Sequence, residues 1–375
     1  MGTHTATETG SRGPSSGLGA SYRGLVCDLD GVVYRGPTEL RHAVSALTEV
    51  RASCDVVFAT NNASRPPADV AHQLAGFGLE VTAEQVVTSS QAGAAHLAEL
   101  LPHGARVLAV GGVGVRHALE EVGFTVVLPD EVTSRSGDTD VGVAGVLQGY
   151  GPDVRARDLA EASYAVEGGA IWVATNRDAT LPTERGVAPG NGMLVDAVAR
   201  ATGRQPVVVG KPEAPLYAAS ITRLGFEATE VLAIGDRLDT DILGAMAAGL
   251  DSLWVLTGVD DLASLAVAAG RPLPTYVAPD LRVLAAPRPV VTRSDDWWVC
   301  GRVRVRVVDG VSIEHDVDKT GAGEAAKMSS GNNPLDRRIA LLTAGVRAMC
   351  HARDATDRGT FDGVAVATSL QSVVE

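Results

Sequence analysis

The sequence predicts an α/β protein: a doubly wound parallel sheet, an inserted α/β domain laid over it, and a small α+β domain at the end. Three observations carry this. From Leu25 onward, short Val/Ile/Leu runs alternate with helix-like segments, the pattern of βαβ units. Four of these runs stop at polar clusters: 25–27 at Asp28, 56–59 at Thr60-Asn61-Asn62, 207–209 at Gly210-Lys211-Pro212, and 231–234 at Gly235-Asp236. Finally, Asn61 and Lys211 stand 150 residues apart, too far for one crossover, and the interval has its own alternation at 106–110, 141–146 and 171–174.

In order along the chain, residues 1–20 are rich in Gly, Ser and Thr with no apolar core, so they read as a flexible tail and not a signal peptide. Residues 21–90 and 207–286 form the predicted sheet core, and 91–206 the insertion. Thr82-Ala83-Glu84-Gln85 fits a capping box, and Pro189-Gly190-Asn191-Gly192 precedes a helix-like stretch at 193–201. Gly111-Gly112-Val113-Gly114 misses the spacing of a dinucleotide loop and reads as a tight turn. Pro287-Arg288-Pro289 marks a linker to a C-terminal domain at 290–375. There, strict alternation at 302–307, the hairpin turn Asp309-Gly310 and a return at 311–313 predict strands. Pro334 opens a helix running to about Arg353, and 364–367 reads as a last short strand. Arg302, Arg304 and Arg306 are expected on the solvated face of an edge strand, with Trp297 and Trp298 one packed and one partly exposed.

The 375 residues are 45% hydrophobic, enough for large packed cores. A formal net charge of -13 argues against a general nucleic-acid or anionic-membrane binder. No run of roughly 18 uninterrupted apolar residues suggests a membrane span. Cys27, Cys54, Cys300 and Cys350 lack CxxC spacing, so neither a zinc site nor a disulfide framework is indicated and a cytoplasmic setting fits. The histidines form no pair at metal-binding helical spacing.

The chemistry sits in the clusters. Strand side chains alternate, so Asp28 and Asp30 point one way and Leu29 the other, and Gly31 allows a tight turn away from the strand. Two like charges in one small space call for a cation, or for one member to hold a proton; the pair is therefore either a metal site or a nucleophile beside a general acid. Lys211, 183 residues beyond Asp28, is one of three lysines in this arginine-rich chain. In a parallel sheet the crevice past the strands' carboxyl ends binds ligands, so all four clusters are expected to share one site, with the insertion as its lid.

Asp28-x-Asp30-Gly31-Val32, Thr60-Asn61-Asn62, Gly210-Lys211-Pro212 and the 235–241 segment, in this order, resemble the haloacid dehalogenase (HAD) superfamily of phosphatases. The insertion, with 174–178 and 189–192, resembles the class IIA branch, which includes nucleotide, 4-nitrophenyl-phosphate, pyridoxal-phosphate, phosphoglycolate and glycerol-3-phosphate phosphatases. The extension is similar in placement to that of actinobacterial members acting on glycerol 3-phosphate, whose tail is acetyltransferase-like, although no glycine-rich cofactor loop opens a helix there.

The resemblance implies a Mg2+-dependent phosphomonoesterase acting on small phosphorylated metabolites, glycerol 3-phosphate first, with homodimerisation compatible. It makes Asp28 the nucleophile and Asp30 the general acid and base. Mg2+ would be held by the Asp28 side chain, the Asp30 carbonyl and the Asp236 side chain, with Asp241 behind and Asp239 structural. Lys211 would supply positive charge, and Thr60 with the backbone of Asn61 and Asn62 would bind phosphoryl oxygens. Leu181 would face the leaving group, and Arg177 and Asp178 would either reach the substrate or brace the lid.

Overall fold

In the computed structural model of the chain the described residues are 17–133, 142–183, 185–267, 273–309, 312–317, 333–355 and 362–374. The core is a six-stranded, all-parallel sheet. From one edge to the other its strands are Tyr276–Ala278, Asp251–Val255, Val231–Gly235, Gly24–Cys27, Asp55–Thr60 and Val86–Thr88. The central strand Gly24–Cys27 is buried throughout, as a strand covered on both faces must be. It pairs with Val231–Gly235 on one side and Asp55–Thr60 on the other. Asp28, Asp236 and Thr60 thus leave three adjacent strands at the same end.

The insertion forms a second sheet, again parallel, in the order Val207–Val208, Ile171–Ala174, Gly145–Gln148, Arg106–Val110, Thr125–Val127. The third polar cluster therefore departs from expectation: the 207–208 strand pairs with Ile171–Ala174 of the insertion and not with the core. Lys211 is delivered by an edge strand of the cap, which descends into the crevice. A two-residue strand ending at Gly210-Lys211 can join either sheet without changing its local pattern, so nothing in the sequence distinguishes the two.

The glycine cluster at 111–114 is more than a turn. Gly112 starts the helix Val113–Glu121, and Gly114 N–H donates to the Ser64 carbonyl at 3.1 Å. A Cβ on Gly114 would lie 2.5 Å from the Ala63 carbonyl oxygen and 2.6 Å from the Arg65 carbonyl carbon. These glycines let a cap helix seat itself on the core loop that follows Thr60-Asn61-Asn62. Thr82–Gln85 closes as a single 3-10 turn, with Gln85 Oε1 accepting from Thr82 N–H at 3.2 Å.

The C-terminal segment is a four-stranded antiparallel sheet in chain order, backed by helices Pro334–Ala355 and Gly363–Val374. Residues 364–367, expected as a strand, are helical; Val366, Leu370 and Val374 are buried at helical spacing, a period four residues are too few to reveal. Val303–Val308 is an inner strand, so Arg304 and Arg306 line the sheet's open face and not an edge. Both guanidiniums sit 4.6 Å from the Trp297 ring, while Trp298 packs against the inward cluster. Of the expected tail, residues 1–16 lie outside the described residues, and Leu18 departs from the expectation: it is fully buried and donates its N–H to the Ala286 carbonyl at 2.7 Å. All four cysteines are buried and free.

Candidate active site

Strand ends and one cap edge converge on a cavity of about 1060 Å3, lined among others by Asp28, Asp30, Thr60, Asn61, Asn62, Leu181, Lys211, Asp236 and Asp241. Leu29 turns into the hydrophobic core, so the acids on either side of it face the cavity. Gly31 holds φ +85°, and a Cβ there would run into the Asp236 carboxylate. Glycine is thus needed both for the turn and for the second acid's approach.

Lys211 Nζ is buried and ion-paired with Asp28, lies 2.7 Å from Asp241 Oδ1, and donates to the Ala59 carbonyl at 3.1 Å. Asp241 is presented by a wide, π-type turn at Leu238–Ile242, the kind of local widening that recurs at functional sites. Its Oδ2 accepts from Arg237 N–H at 3.1 Å, and Tyr217 O–H holds its carbonyl at 2.9 Å. Asp236 is held through Val259 N–H to Oδ2 at 2.6 Å and Trp254 Nε1–H to its carbonyl at 3.0 Å.

The charges are strongly coupled. Burial pushes the Asp28 carboxyl well above the usual range, Lys211 pulls it back, and Asp241 and Asp236 push it further up. Burial and Asp241 raise Asp236 to about 7. Burial draws the Lys211 ammonium down, but Asp241 and Asp28 more than reverse this. Although Asp30 opens onto the cavity, crowding by protein raises its carboxyl, with Arg65 and Lys211 opposing. A carboxyl raised in this way suits an acid that must give up a proton near neutrality.

Asp28, Asp236 and Asp241 each offer an oxygen within 4.8 Å of the others, and all three are buried. Asp236 Oδ1 is buried with no hydrogen-bond partner among the described residues, and one ammonium does not balance three carboxylates. An all-oxygen set with an orphaned buried oxygen fits a hard divalent cation such as Mg2+. The Asp30 carboxylate is outside this trio, which leaves its backbone carbonyl as the donor that the resemblance assigned to it.

Thr60 Oγ1 accepts from Asn62 N–H at 3.0 Å, which leaves its hydroxyl proton free to donate into the cavity while occupying the Asn62 amide. The Asn61 side chain is consumed structurally. Its Oδ1 accepts from Lys211 N–H at 2.8 Å and its Nδ2 donates to the Lys211 carbonyl at 3.0 Å, so it clamps the lysine's backbone. The same Nδ2 reaches Asp178 Oδ2 at 3.2 Å. Arg177, expected among the substrate contacts, does not line the cavity; its guanidinium pairs with Asp196 and donates to Gln205 Oε1 at 3.3 Å. Asn176 and Asp178, on either side of Arg177, do line the cavity, and Asn176 Oδ1 accepts from Asp178 N–H at 3.1 Å.

Sequence reasoning left several lining residues without a role, among them Arg65, Tyr150 and Arg237. Arg237 stood inside a recognised segment, and its fork onto Asp239 at 3.1 Å needs coordinates to see. Arg65 and Tyr150 carry no spacing that marks them.

A family model described as haloacid dehalogenase-like hydrolase matches residues 25–125, and a second, HAD-hydrolase-like, matches 208–284. The chain is 45% identical over 260 residues to D-glycerol 3-phosphate phosphatase of Mycobacterium tuberculosis, covering 69% of this chain and 70% of that one. It is 36% identical over 240 residues to the 5'-nucleotidase YutF of Bacillus subtilis, covering 64% and 89%. Among solved structures, the magnesium complex of a glycerol phosphate phosphatase from M. tuberculosis superposes with a TM-score of 0.74 at 36% identity, covering 95% of this chain and 98% of that one. A p-nitrophenyl phosphatase from Archaeoglobus fulgidus gives 0.63 at 29% identity, covering 71% and 98%.

Proposed function

The chain belongs to the haloacid dehalogenase-like hydrolases, and from that membership we propose that it is a Mg2+-dependent phosphomonoesterase for small phosphorylated metabolites, glycerol 3-phosphate first. The observation that carries this is the convergence of Asp28, Asp236, Asp241 and Lys211 in one cavity. The substrate reading is supported by the relatives named for glycerol phosphate, one of which matches nearly the full length, C-terminal segment included.

Asp28, Asp236 and Asp241, with the Asp30 carbonyl, would hold Mg2+, which when bound offsets the repulsion between a dianionic phosphate and the carboxylates. Asp28 attacks phosphorus in line, the P–O bond to the alcohol breaks, and Asp30 gives its proton to the departing alkoxide. Asp30, now a carboxylate, takes a proton from water as that water attacks the aspartyl-phosphate, freeing Asp28 and inorganic phosphate. Lys211 neutralises charge on Asp28 and the phosphoryl oxygens, and the Thr60 hydroxyl donates to one of them. Residues 21–90 and 209–286 would supply the chemistry, and the cap the leaving-group pocket. The reading is compatible with a cytoplasmic enzyme; among the described residues, no helix is long and apolar enough to cross a membrane.

Asp28→Asn keeps the side chain's shape and removes its nucleophilicity. Turnover is expected to vanish while the circular dichroism spectrum and Tm stay close to wild type. Wild-type activity in that variant excludes the reading. Turnover is also expected to be lost in EDTA and restored by Mg2+.

A further inference from the structure

One loop touches the segments that supply the proposed metal site, yet it contributes none of the three carboxylates. It is Thr257-Gly258-Val259-Asp260, which follows the core strand Asp251–Val255. Thr257 Oγ1 donates to the Gly31 carbonyl at 2.6 Å, one residue beyond the Asp30 carbonyl. Val259 N–H donates to Asp236 Oδ2 at 2.6 Å. Asp260 Oδ2 accepts from Leu238 N–H at 2.7 Å, at the start of the wide turn that presents Asp241.

The fit is close. A Cβ on Gly258 would lie 1.7 Å from Asp236 Oδ2, and one on Gly31 would lie 2.4 Å from the same atom, so that oxygen is packed against two glycines. Gly31 is held through both backbone polar groups, since its N–H donates to the Tyr34 carbonyl at 2.8 Å while its carbonyl takes the Thr257 hydroxyl. Arg35 Nη2 reaches the Thr257 carbonyl at 2.9 Å and secures the loop from its other side. The 28–31 turn and the 236–241 segment leave different strands, so neither one sets its distance from the other. The loop joins them. That distance matters because Mg2+ demands near-ideal octahedral ligands at about 2.0–2.1 Å, whereas Ca2+ accepts about 2.3–2.6 Å and irregular geometry. A rigid frame favours the smaller ion.

We propose that the 257–260 loop is a clasp, with Thr257 and Asp260 as positioning residues, that holds the metal ligands at the spacing Mg2+ requires and so favours Mg2+ relative to Ca2+. The inference rests on the phosphomonoesterase reading above and deepens its metal site. Thr257 has one hydroxyl proton, and it is spent on the Gly31 carbonyl. Both residues therefore act through the backbone that carries the ligands.

The test is calorimetric titration of the metal-free, full-length protein with MgCl2 and, separately, with CaCl2. The proteins are wild type, Thr257→Val, Thr257→Ser, Asp260→Ala and Asp260→Asn. Valine keeps the shape of threonine and removes the donor, which serine restores; alanine removes the acceptor for Leu238 N–H, which asparagine keeps. Thr257→Val and Asp260→Ala are each expected to weaken Mg2+ binding about tenfold and Ca2+ binding by clearly less, so the ratio of the two affinities falls. Thr257→Ser and Asp260→Asn are expected to stay close to wild type. Equal losses for both ions would mean that the loop only stabilises the fold, and would overturn the proposal. So would unchanged Mg2+ affinity, or serine and asparagine variants as impaired as the other two. Should one disruptive variant fail to fold, the other decides by the same ratio. A wild type that binds neither ion is a different signature, since it removes the metal site and the phosphomonoesterase reading with it.

Discussion

Asp236 links charge to stability in a way that can be measured without substrate. Its carboxyl is held at about 7 in the fold, against about 3.9 in an unfolded chain. A group whose pKa is raised by folding contributes stability below its unfolded value, and that contribution is lost as pH rises through the folded value. The metal-free protein is therefore expected to lose Tm as pH climbs from 5 to 7.5, and Asp236→Asn to flatten that dependence. Identical pH profiles for the two would show that the carboxyl is not strained by its neighbours. Among single residues, Asp28, Asp30, Lys211 and Asp236 were legible because each ends a hydrophobic run, which is a one-dimensional signal. Arg65 and Arg237 were not, because no spacing marks them and their local partners, Gln73 and Asp239, show only in three dimensions. Arg177 and Asp178 were both named, and only the fold separates the one that lines the cavity from the one that does not.

At the scale of elements, the contact between the Val113–Glu121 helix and the 63–65 loop sets where the lid sits. Gly114→Ala forces a methyl group against carbonyl atoms that cannot yield without moving the loop after Thr60-Asn61-Asn62. The expected outcome is a loss of roughly 1–3 kcal/mol in stability and a fall in kcat/KM. An unperturbed Tm would mean the contact is looser than described. The misjudged elements have a common cause. The 207–208 strand, the 303–308 strand and the 363–374 helix were each assigned from a few residues, as a short apolar run or a short alternation, and patterns that short state neither where in a sheet a strand lies nor whether the period is two or 3.6. Longer runs bounded by turn residues were read correctly, as in Asp55–Thr60 and Val231–Gly235.

Across the whole molecule, the C-terminal segment shares a hydrophobic cluster with the core. Trp254, Leu238 and Ile242 pack with Leu342, Met349 and Leu370, and Arg347 donates to the Pro274 and Thr275 carbonyls at 3.2 and 3.3 Å. Trp254 also donates to the Asp236 carbonyl, so one fully buried ring joins the added segment to a proposed metal ligand. Trp254→Phe keeps most of the packing and removes the donor. Mg2+ affinity measured by calorimetry is expected to weaken about tenfold, in line with the cost of losing an outer-shell partner. Unchanged affinity would separate the two regions energetically. Leu342→Ala is expected to cost about 3 kcal/mol in global stability, read by urea denaturation. The central claim concerns the reacting carboxylate. Borohydride added during turnover of glycerol 3-phosphate reduces an acyl phosphate, so peptide mass spectrometry is expected to find homoserine at position 28. Reduction at another acid, or none while product accumulates, would contradict it.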